Sequence, residues 1–282
     1  MGAISDLHAL VGSTLRSYRE AAGYKLDDAA SILECDRSKI SRIETGQRGI
    51  RPKELRELLM EYNVAAAVQD TLAALARPRN ANAWRRDYRR VLTDAYLDFA
   101  AAEGVASRIL VYAPLRVPEL LWTVEYGQAV VAADPSVPED AEEVAVEAAV
   151  LYRGGTLFRR QPDCTVILGE AALRHGAGSL EATQTQLAHI AELSGPDYPW
   201  LTIRILPFSA GICPAGGAGE YSILHFSELS DMGLVHVAGP QGGVCLSTPS
   251  SIDAYTAIFR RMTSLSLDPG QSARRLRQGA RR

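Results

Sequence analysis

The segment from residue 36 to residue 46 concentrates hydrogen-bond donors of the kind that contact nucleic acid. Asp36 is a favourable helix N-cap, and Gly46 stands where a helix needs a left-handed stop. Between them Ile40 and Ile43 lie three residues apart and can share one buried stripe. The remaining side chains then face outward: Arg37, Ser38, Lys39, Ser41 and Arg42. Arginine donors match guanine edges and phosphates, so the pattern favours an exposed helix that contacts DNA.

Short helices on both sides must position this donor-rich helix. Apolar residues at helical spacing predict a first helix over residues 10–22, with Gly23 as its stop. A second helix of about two turns begins near Asp27, and Pro52 opens a further helix over residues 52–62. Only a tight connection separates the second helix from the donor-rich one. Several short helices joined in this way form a helix-turn-helix domain.

The pattern changes to mixed α and β beyond a polar, proline-containing linker at residues 78–82. We predict helices over 84–103, 139–152, 180–193 and 250–265, the second of them broken at Gly154-Gly155, and strands over 108–112, 165–168, 201–206, 221–226, 234–237 and 244–246. The expected fold is an all-α N-terminal helix-turn-helix domain followed by a mixed α/β (α+β) domain. Its domains are residues 1–77 and 83–271, ahead of a mobile basic tail at 272–282.

The charge is unevenly distributed along the 282 residues, although the net charge is only -3. Residues 1–90 carry 16 Lys and Arg against 12 Asp and Glu, residues 91–271 carry 9 against 21, and residues 272–282 carry five Arg and no acid. The basic ends are therefore expected to meet any polyanion, while the acidic middle is repelled by it.

Four separated cysteines indicate neither a zinc cluster nor disulfides. No signal segment or membrane span is indicated, so we expect a cytoplasmic protein with no membrane partner.

The run from Leu15 to about Ala66 resembles the Cro/C1-type (XRE) helix-turn-helix family, most clearly over residues 38–46. The resemblance implies that Arg37, Ser38 and Arg42 contact base edges. It also implies a structural ion pair between Arg19 and Glu44. The donors assigned to phosphates are Lys39, Ser41, Arg48, Arg51 and Lys53.

Two positions depart from that family. Leu26 stands where its members often have a phosphate-binding Gln, and Glu34 stands where a turn Gly is usual. The first departure removes one docking contact, and the second bears on the geometry of the turn.

One helix-turn-helix domain covers a short half-site, so useful affinity implies a homodimer on a palindromic operator of double-stranded DNA.

The second region resembles the DUF5753 (Scr1 antitoxin-like) domain that actinobacterial XRE regulators carry. Four short matches occur in the expected order, at residues 117–126, 168–174, 206–211 and 267–272. The chain departs from that family at Glu119 and Trp122 and around Gly154-Gly155. The resemblance implies a regulatory domain that senses a small-molecule effector or a small partner protein.

Five aromatic residues of this region are candidates for an effector pocket, although aromatics at this density mostly fill cores. They are Trp122, Tyr126, Trp200, Phe208 and Tyr221. His225 and His236 could assemble an acid–base or metal site with Glu170 or Glu220, but strand histidines more often serve structure. The glycine-rich segment 211–219 favours a flexible connection over a phosphate cradle, because a strand follows it.

Two functions remain open at this point. The first is a sequence-specific transcriptional regulator that is not an enzyme and carries no cofactor and no metal. The alternative keeps the fold but makes the second domain an enzyme acting on a small metabolite, with DNA binding secondary. It is motivated by the departures at Glu119, Trp122 and Gly154-Gly155, and no nucleophile–base pair, metal cluster or cofactor fingerprint supports it.

Overall fold

A computed structural model describes residues 6–77, 88, 92–135, 137–176, 178–211, 213–215, 217, 219–226, 233–239 and 242–280. Its N-terminal part is helical throughout. The helices are α1 (Asp6–Ala21), α2 (Leu26–Ile32), α3 (Arg37–Glu44), α4 (Pro52–Glu61) and α5 (Ala66–Leu75). The all-α helix-turn-helix domain expected from the sequence is therefore confirmed, and the predicted linker at 78–82 lies outside the described residues.

Local signals fix both ends of α3. The Asp36 carboxylate accepts the Ser38 backbone N–H at 2.7 Å, which satisfies one free donor of the first turn. The Ser38 hydroxyl and this backbone N–H together lower the pKa of Asp36. Gly46, at φ +72°, ends the helix in the left-handed region, and a Cβ there would lie 2.7 Å from the Cα of Ala9. Two separate constraints therefore require glycine at this position: the left-handed backbone conformation and the close contact with α1.

The turn between α2 and α3 keeps its geometry without glycine. Glu34 takes φ +48°, the left-handed conformation that the usual turn Gly would adopt freely. The following residue, Cys35, donates its N–H to the carbonyl of Ala30 at 2.9 Å and closes the turn. The departure at Glu34 therefore leaves the turn intact and stores backbone strain in it.

A mixed six-stranded sheet organises the second domain, as expected for an α+β fold. Its strands are β1 (Arg108–Ala113), β2 (Asp163–Gly169), β3 (Leu201–Leu206), β4 (Tyr221–His225), β5 (Gly233–Val237) and β6 (Val244–Leu246). They lie in the order β3-β2-β1-β4-β5-β6. The first three pair in parallel, and β4, β5 and β6 join antiparallel. Each of the six predicted strands is confirmed.

Helices cover both faces of this sheet. They are α6 (Asp94–Glu103), α7 (Val124–Ala132), α8 (Glu142–Glu147), α9 (Gly155–Arg160), α10 (Leu180–Leu193), α11 (Pro249–Leu265) and α12 (Pro269–Gly279). Strand alternation sends Ile109 and Val111 into one core and Leu110 and Tyr112 into the other, where Met262 of α11 meets them. None of the described helices is both long and apolar enough to cross a bilayer.

Three helix predictions need correction. The helix expected over 84–103 is not continuous, because the extended residue Thr93 caps α6 through its hydroxyl. Helix α8 is not broken at Gly154-Gly155: a π-helical segment (Ala148–Gly154) carries it into α9, which ends at the left-handed residue Gln161. The basic tail is not a mobile arm as far as Gly279. Helix α12 packs there through Ser272, Ala273 and Leu276.

Candidate nucleic-acid interface and ligand cavity

The three predicted base-contacting side chains share the exposed face of α3. Arg37, Ser38 and Arg42 are all exposed. The guanidinium of Arg42 donates through Nε to the Ser38 carbonyl at 3.2 Å and lies 3.4 Å from its hydroxyl, which orients the side chain along the helix. Among the described residues Arg37 pairs only with Asp27, at 3.6 Å, and both side chains are more than half exposed. Such a pair contributes little, so the Arg37 guanidinium can exchange it for a DNA group.

The opposite face of α3 is held by the core and by a buried ion pair. Ile40 and Ile43 are buried, as their spacing predicted. Arg19 of α1 donates through Nε and Nη2 to the two carboxylate oxygens of Glu44 at 2.7 and 2.9 Å, and through Nη1 to the Tyr24 carbonyl at 2.7 Å. The Glu44 hydrogen bond raises the pKa of Arg19. The implied pair is present, and it fixes the rotation of α3 against α1.

The predicted phosphate contacts divide into two groups. Arg48 is exposed in the connection after α3, Arg51 and Lys53 are exposed at the start of α4, and Ser41 of α3 is half-buried. Lys39 is different, because its ammonium binds the Glu54 carboxylate at 2.7 Å and only 18% of its side chain is exposed. Burial alone would raise the pKa of Glu54, but the hydrogen bond and charge of Lys39 together with those of Arg51 outweigh burial, and the pKa falls. The structure therefore argues against Lys39 as a phosphate contact.

A cavity of about 500 Å³ opens in the second domain between α6, the turn after β1 and strands β4 and β5. Its lining combines charged and aromatic side chains. The residues are Tyr96, Phe99, Arg116, Glu119, Asp134, Pro135, Arg153, Glu220, Tyr221, Ser222, His236, Ala238, Gly239 and Gly242. A volume of this size matches the range of small-molecule sites.

Arg153 is the most heavily bonded charge at the cavity. Its Nε and Nη2 donate to both carboxylate oxygens of Glu103 at 2.8 and 2.9 Å, and its Nη1 binds Glu119 and the Tyr96 hydroxyl. Glu119 also accepts the Tyr96 hydroxyl at 2.5 Å. The guanidinium lies against the rings of Tyr96 and Phe99, 5.3 and 5.1 Å from their centres. These contacts hold α6, the turn after β1 and the π-helical segment together.

A second pair of charges is held more loosely. The Nε of Arg116 lies 3.5 Å from Glu220, and its guanidinium lies 6.0 Å from the centre of the Trp122 ring. Burial raises the pKa of Glu220, while the positive charge of Arg116 opposes the rise. Beside this pair an adjoining lobe of about 190 Å³ shares Tyr96, Arg116 and Glu119 with the main cavity. Its apolar wall consists of Leu92, Trp122, Val130, Val131, Val137, Ala145 and Ala149.

His236 of β5 closes another side of the cavity. Its ring stacks on Phe99 with the centres 4.0 Å apart, and its Nε2 lies 2.8 Å from the Gly242 carbonyl. Burial lowers the pKa of His236, and the positive charge of Arg153 lowers it further. Ser222 lies opposite His236 in the sheet register and lines the same cavity. His236 is therefore neutral at pH 7, with the Nε2 proton directed to the carbonyl.

The structure separates the five aromatic residues that the sequence offered as candidates for an effector pocket. Trp122 borders the adjoining lobe, and Tyr221 borders the main cavity, although its ring packs against Tyr112 and Tyr255. The other three predicted residues, Tyr126, Trp200 and Phe208, do not line either lobe. Trp200, Phe158 and Tyr198 are partly buried and pack together against the core, and Phe208 is 63% exposed.

The charges around Arg153 were missed as site residues. Arg153 lies in a stretch of apolar and acidic residues that forms one helical run. An isolated arginine in such a stretch was the feature of the sequence that could have indicated a site residue. Of the suggested acid–base groups, Glu220 and His236 do share the cavity. Glu170 lies elsewhere, where it accepts the Phe208 N–H and binds Arg174 and Arg275.

The comparisons with known proteins agree with both halves of this description. A family model described as a helix-turn-helix domain matches residues 10–72, and one described as a domain of unknown function, DUF5753, matches residues 96–278. No curated protein and no solved structure matches the chain. The chain therefore belongs to the DUF5753 family and carries a helix-turn-helix DNA-binding domain ahead of the domain that defines that family.

Proposed function

We propose that this protein is a sequence-specific transcriptional regulator whose second domain controls its affinity for DNA. The observation that carries the proposal is the exposed face of α3, where Arg37, Ser38 and Arg42 make no strong pair with another side chain that the structure describes. Each arginine can donate two hydrogen bonds to one guanine, a contact that discriminates against other bases by about 1–3 kcal/mol. Arg48, Arg51 and Lys53 supply the phosphate contacts that set its register.

We further propose that the protein binds as a homodimer. One α3 helix covers only a short half-site, and two copies related by a twofold axis would contact half-sites about 10 base pairs apart. The operator would then be an inverted repeat. Dimerisation also multiplies the modest affinity of one domain into the range that a regulator needs.

A contact between the two domains supports control by the cavity. Helix α6 lines the cavity through Tyr96 and Phe99, and it also packs against α1. Helix α1 in turn holds α3 through the Arg19–Glu44 pair. The regulating molecule would be a small ligand or, in an antitoxin-like pairing, a small partner protein. It controls DNA binding only if its affinity for the DNA-competent arrangement differs from its affinity for the incompetent one. Differential energies of about 1–3 kcal/mol are common for such coupling.

The alternative is an enzyme acting on a small metabolite, and one observation favours it. Ser222 and His236 face each other across neighbouring strands with Glu220 close by in the same cavity. Among the described residues, however, the His236 ring bonds the Gly242 carbonyl and does not bond Ser222. A nucleophile needs a base within hydrogen-bond reach. We therefore propose that the cavity binds its ligand and does not convert it.

Selection of bound DNA from a random pool, using the full chain, tests the proposal. We expect an inverted repeat, and fluorescence anisotropy on that site should show Arg42→Ala weakening binding by about tenfold or more. Arg56→Ala is the matched control, because Arg56 is exposed on α4 and pairs with Asp70. Both changes remove one positive charge.

Two results would contradict the proposal. One is a pool that yields no enriched sequence at physiological salt. The other is equal loss of affinity for Arg42→Ala and Arg56→Ala, because that pattern reports net charge and not contact with bases.

A further inference from the structure

We infer that the cavity of the second domain binds a free α-amino acid with an apolar side chain, in its zwitterionic form. The inference rests on the proposed function, since it names the class of molecule that the regulatory domain would sense. It is carried by the loose pairing of Arg116 with Glu220, by the balance of the charges that line the cavity and by the adjoining apolar lobe.

The two ion pairs that line the cavity differ in how fully their atoms are used. Arg153 donates to Glu119 and to the Tyr96 hydroxyl, and Glu119 accepts that hydroxyl as well. Arg116 meets Glu220 through one contact of 3.5 Å, from Nε to Oε2. Within the described part of the chain, Nη1 and Nη2 of Arg116 and Oε1 of Glu220 form no hydrogen bond. The second pair is therefore the one that a ligand can open.

A ligand that separates Arg116 from Glu220 has to satisfy both charges. Their side chains are only 39% and 23% exposed, so a charge left there without a partner is costly. A ligand carboxylate can accept two parallel hydrogen bonds from the Arg116 guanidinium, and a ligand ammonium can donate to the Glu220 carboxylate. Close, charge-assisted contacts at both ends then replace one long contact. An α-amino acid carries both groups on one carbon, which suits two side chains whose nearest charged atoms lie 3.5 Å apart.

The balance of the lining charges disfavours a ligand with a net charge. Two carboxylates and two guanidinium groups face the cavity, those of Glu119, Glu220, Arg116 and Arg153. Asp134 also lines the cavity and has an interaction of its own. An anion could pair with Arg116 but would leave Glu220 without a partner, and a cation at Glu220 would do the same to Arg116. A zwitterion preserves the balance.

The adjoining lobe of about 190 Å³ accommodates the side chain of the ligand. Arg116 lines both the main cavity and this lobe, and its guanidinium lies 6.0 Å from the centre of the Trp122 ring in the wall of the lobe. A dry protein cavity of about 150 Å³ holds a benzene ring. The lobe is therefore large enough for the side chain of phenylalanine, and a carboxylate bound to Arg116 places that side chain at its entrance.

Isothermal titration calorimetry of the full chain with four probes that share one phenyl group tests the inference. L-Phenylalanine carries both charged groups, hydrocinnamate lacks the ammonium, phenethylamine lacks the carboxylate, and hydrocinnamamide is uncharged. We expect phenylalanine to bind at least about tenfold more tightly than each of the other three, because it alone satisfies both Arg116 and Glu220 with charged groups.

Two variants assign each charged group of the ligand to one side chain. In Arg116→Gln, phenylalanine should lose its advantage over phenethylamine, because the carboxylate no longer has a cationic partner. In Glu220→Gln, it should lose its advantage over hydrocinnamate. A variant that merely disturbed the fold would weaken all four probes and leave their order unchanged. Arg277→Gln on α12 and Glu181→Gln on α10 are the matched controls, since both residues are exposed, and they should leave every affinity unchanged.

Absence of phenylalanine binding, equal or tighter binding of any of the other three probes, or retention of the full preference in either cavity variant would each overturn the inference. These measurements contain no DNA, and the selection experiment contains no added amino acid. Specific DNA binding without amino-acid binding would therefore refute only the inference, and amino-acid binding without specific DNA binding would refute only the proposed function.

Discussion

The guanidinium of Arg19 and the carboxylate of Glu44 form two parallel hydrogen bonds, of 2.7 and 2.9 Å, across the contact between α1 and α3. Both residues are buried, at 6% and 7% exposure. A planar pair of this kind resists rotation as well as separation. The pair therefore sets the angle at which Arg37, Ser38 and Arg42 leave the surface.

Breaking this pair from one side should destabilise the helix-turn-helix domain strongly. Glu44→Gln leaves the Arg19 charge buried without its partner, and we expect a loss of about 3–5 kcal/mol in the free energy of unfolding. Urea denaturation followed by circular dichroism measures it. Replacing both residues, as Arg19→Met with Glu44→Leu, should recover most of the loss, because apolar side chains carry no desolvation penalty.

The control for that prediction is the Arg16–Glu20 pair, which has a similar distance of 2.8 Å but side chains 58% and 52% exposed. Arg16→Met should change the free energy of unfolding by less than about 0.5 kcal/mol. Comparable effects of Arg16→Met and Glu44→Gln would show that burial does not control the strength of these pairs.

Glu34→Gly should stabilise the protein. Glu34 is exposed and held at φ +48°, which costs a side-chain-bearing residue roughly 1–2 kcal/mol, while glycine's freedom in the unfolded chain returns about half of that. A net gain of about 0.5–1 kcal/mol is expected in urea denaturation. Asn63→Gly is the comparison, because Asn63 has φ +56° and asparagine tolerates that region better. A gain at Asn63 equal to that at Glu34 would argue against stored strain at Glu34.

The salt dependence of DNA binding should separate Lys39 from the other basic residues. Arg51→Gln and Lys53→Gln each remove one phosphate contact and should reduce the slope of log affinity against log salt by about 1. Lys39→Gln should leave that slope nearly unchanged, since its ammonium binds Glu54. Anisotropy titrations over several salt concentrations provide the slopes. A full unit lost in Lys39→Gln would mean that the protein breaks the Glu54 pair on DNA.

The contribution of Glu170 to stability should vanish in acid. The Phe208 N–H and Arg174, with Arg275 of α12, lower the pKa of Glu170 from 4.5 to about 2. A carboxylate with a lowered folded pKa stabilises fully above its unfolded pKa and loses that stability as the pH falls towards the folded value. Glu170→Gln should therefore cost about 1.5–3 kcal/mol at pH 7 and little near pH 2.

Urea denaturation between pH 2 and pH 7 follows this difference. Exposed Glu61→Gln serves as the control and should change stability little at any pH. If the cost of Glu170→Gln stays constant across this range, the charge of Glu170, which follows β2 directly, does not contribute to its contact with Arg275 of α12.

The sequence by itself determined the helix-turn-helix domain, because its signals act between near neighbours. The cap at Asp36, the stop at Gly46 and the Ile40–Ile43 stripe each depend on residues within a turn or two. The strands were predictable for the same reason, since alternation and apolar runs are local. Resemblance to a family added the Arg19–Glu44 pair, which no local pattern specifies.

Only the tertiary structure decided which side chains meet at the cavity. Arg153 of the π-helical segment, Glu119 after β1 and Tyr96 of α6 are far apart in the chain, and sheet order together with helix packing brings them into contact. It also paired Lys39 with Glu54 and packed α12 against the sheet. The sequence shows which residues are charged, but the partner of each charged side chain depends on distances between residues far apart in the chain. The tertiary structure therefore determines which charges pair.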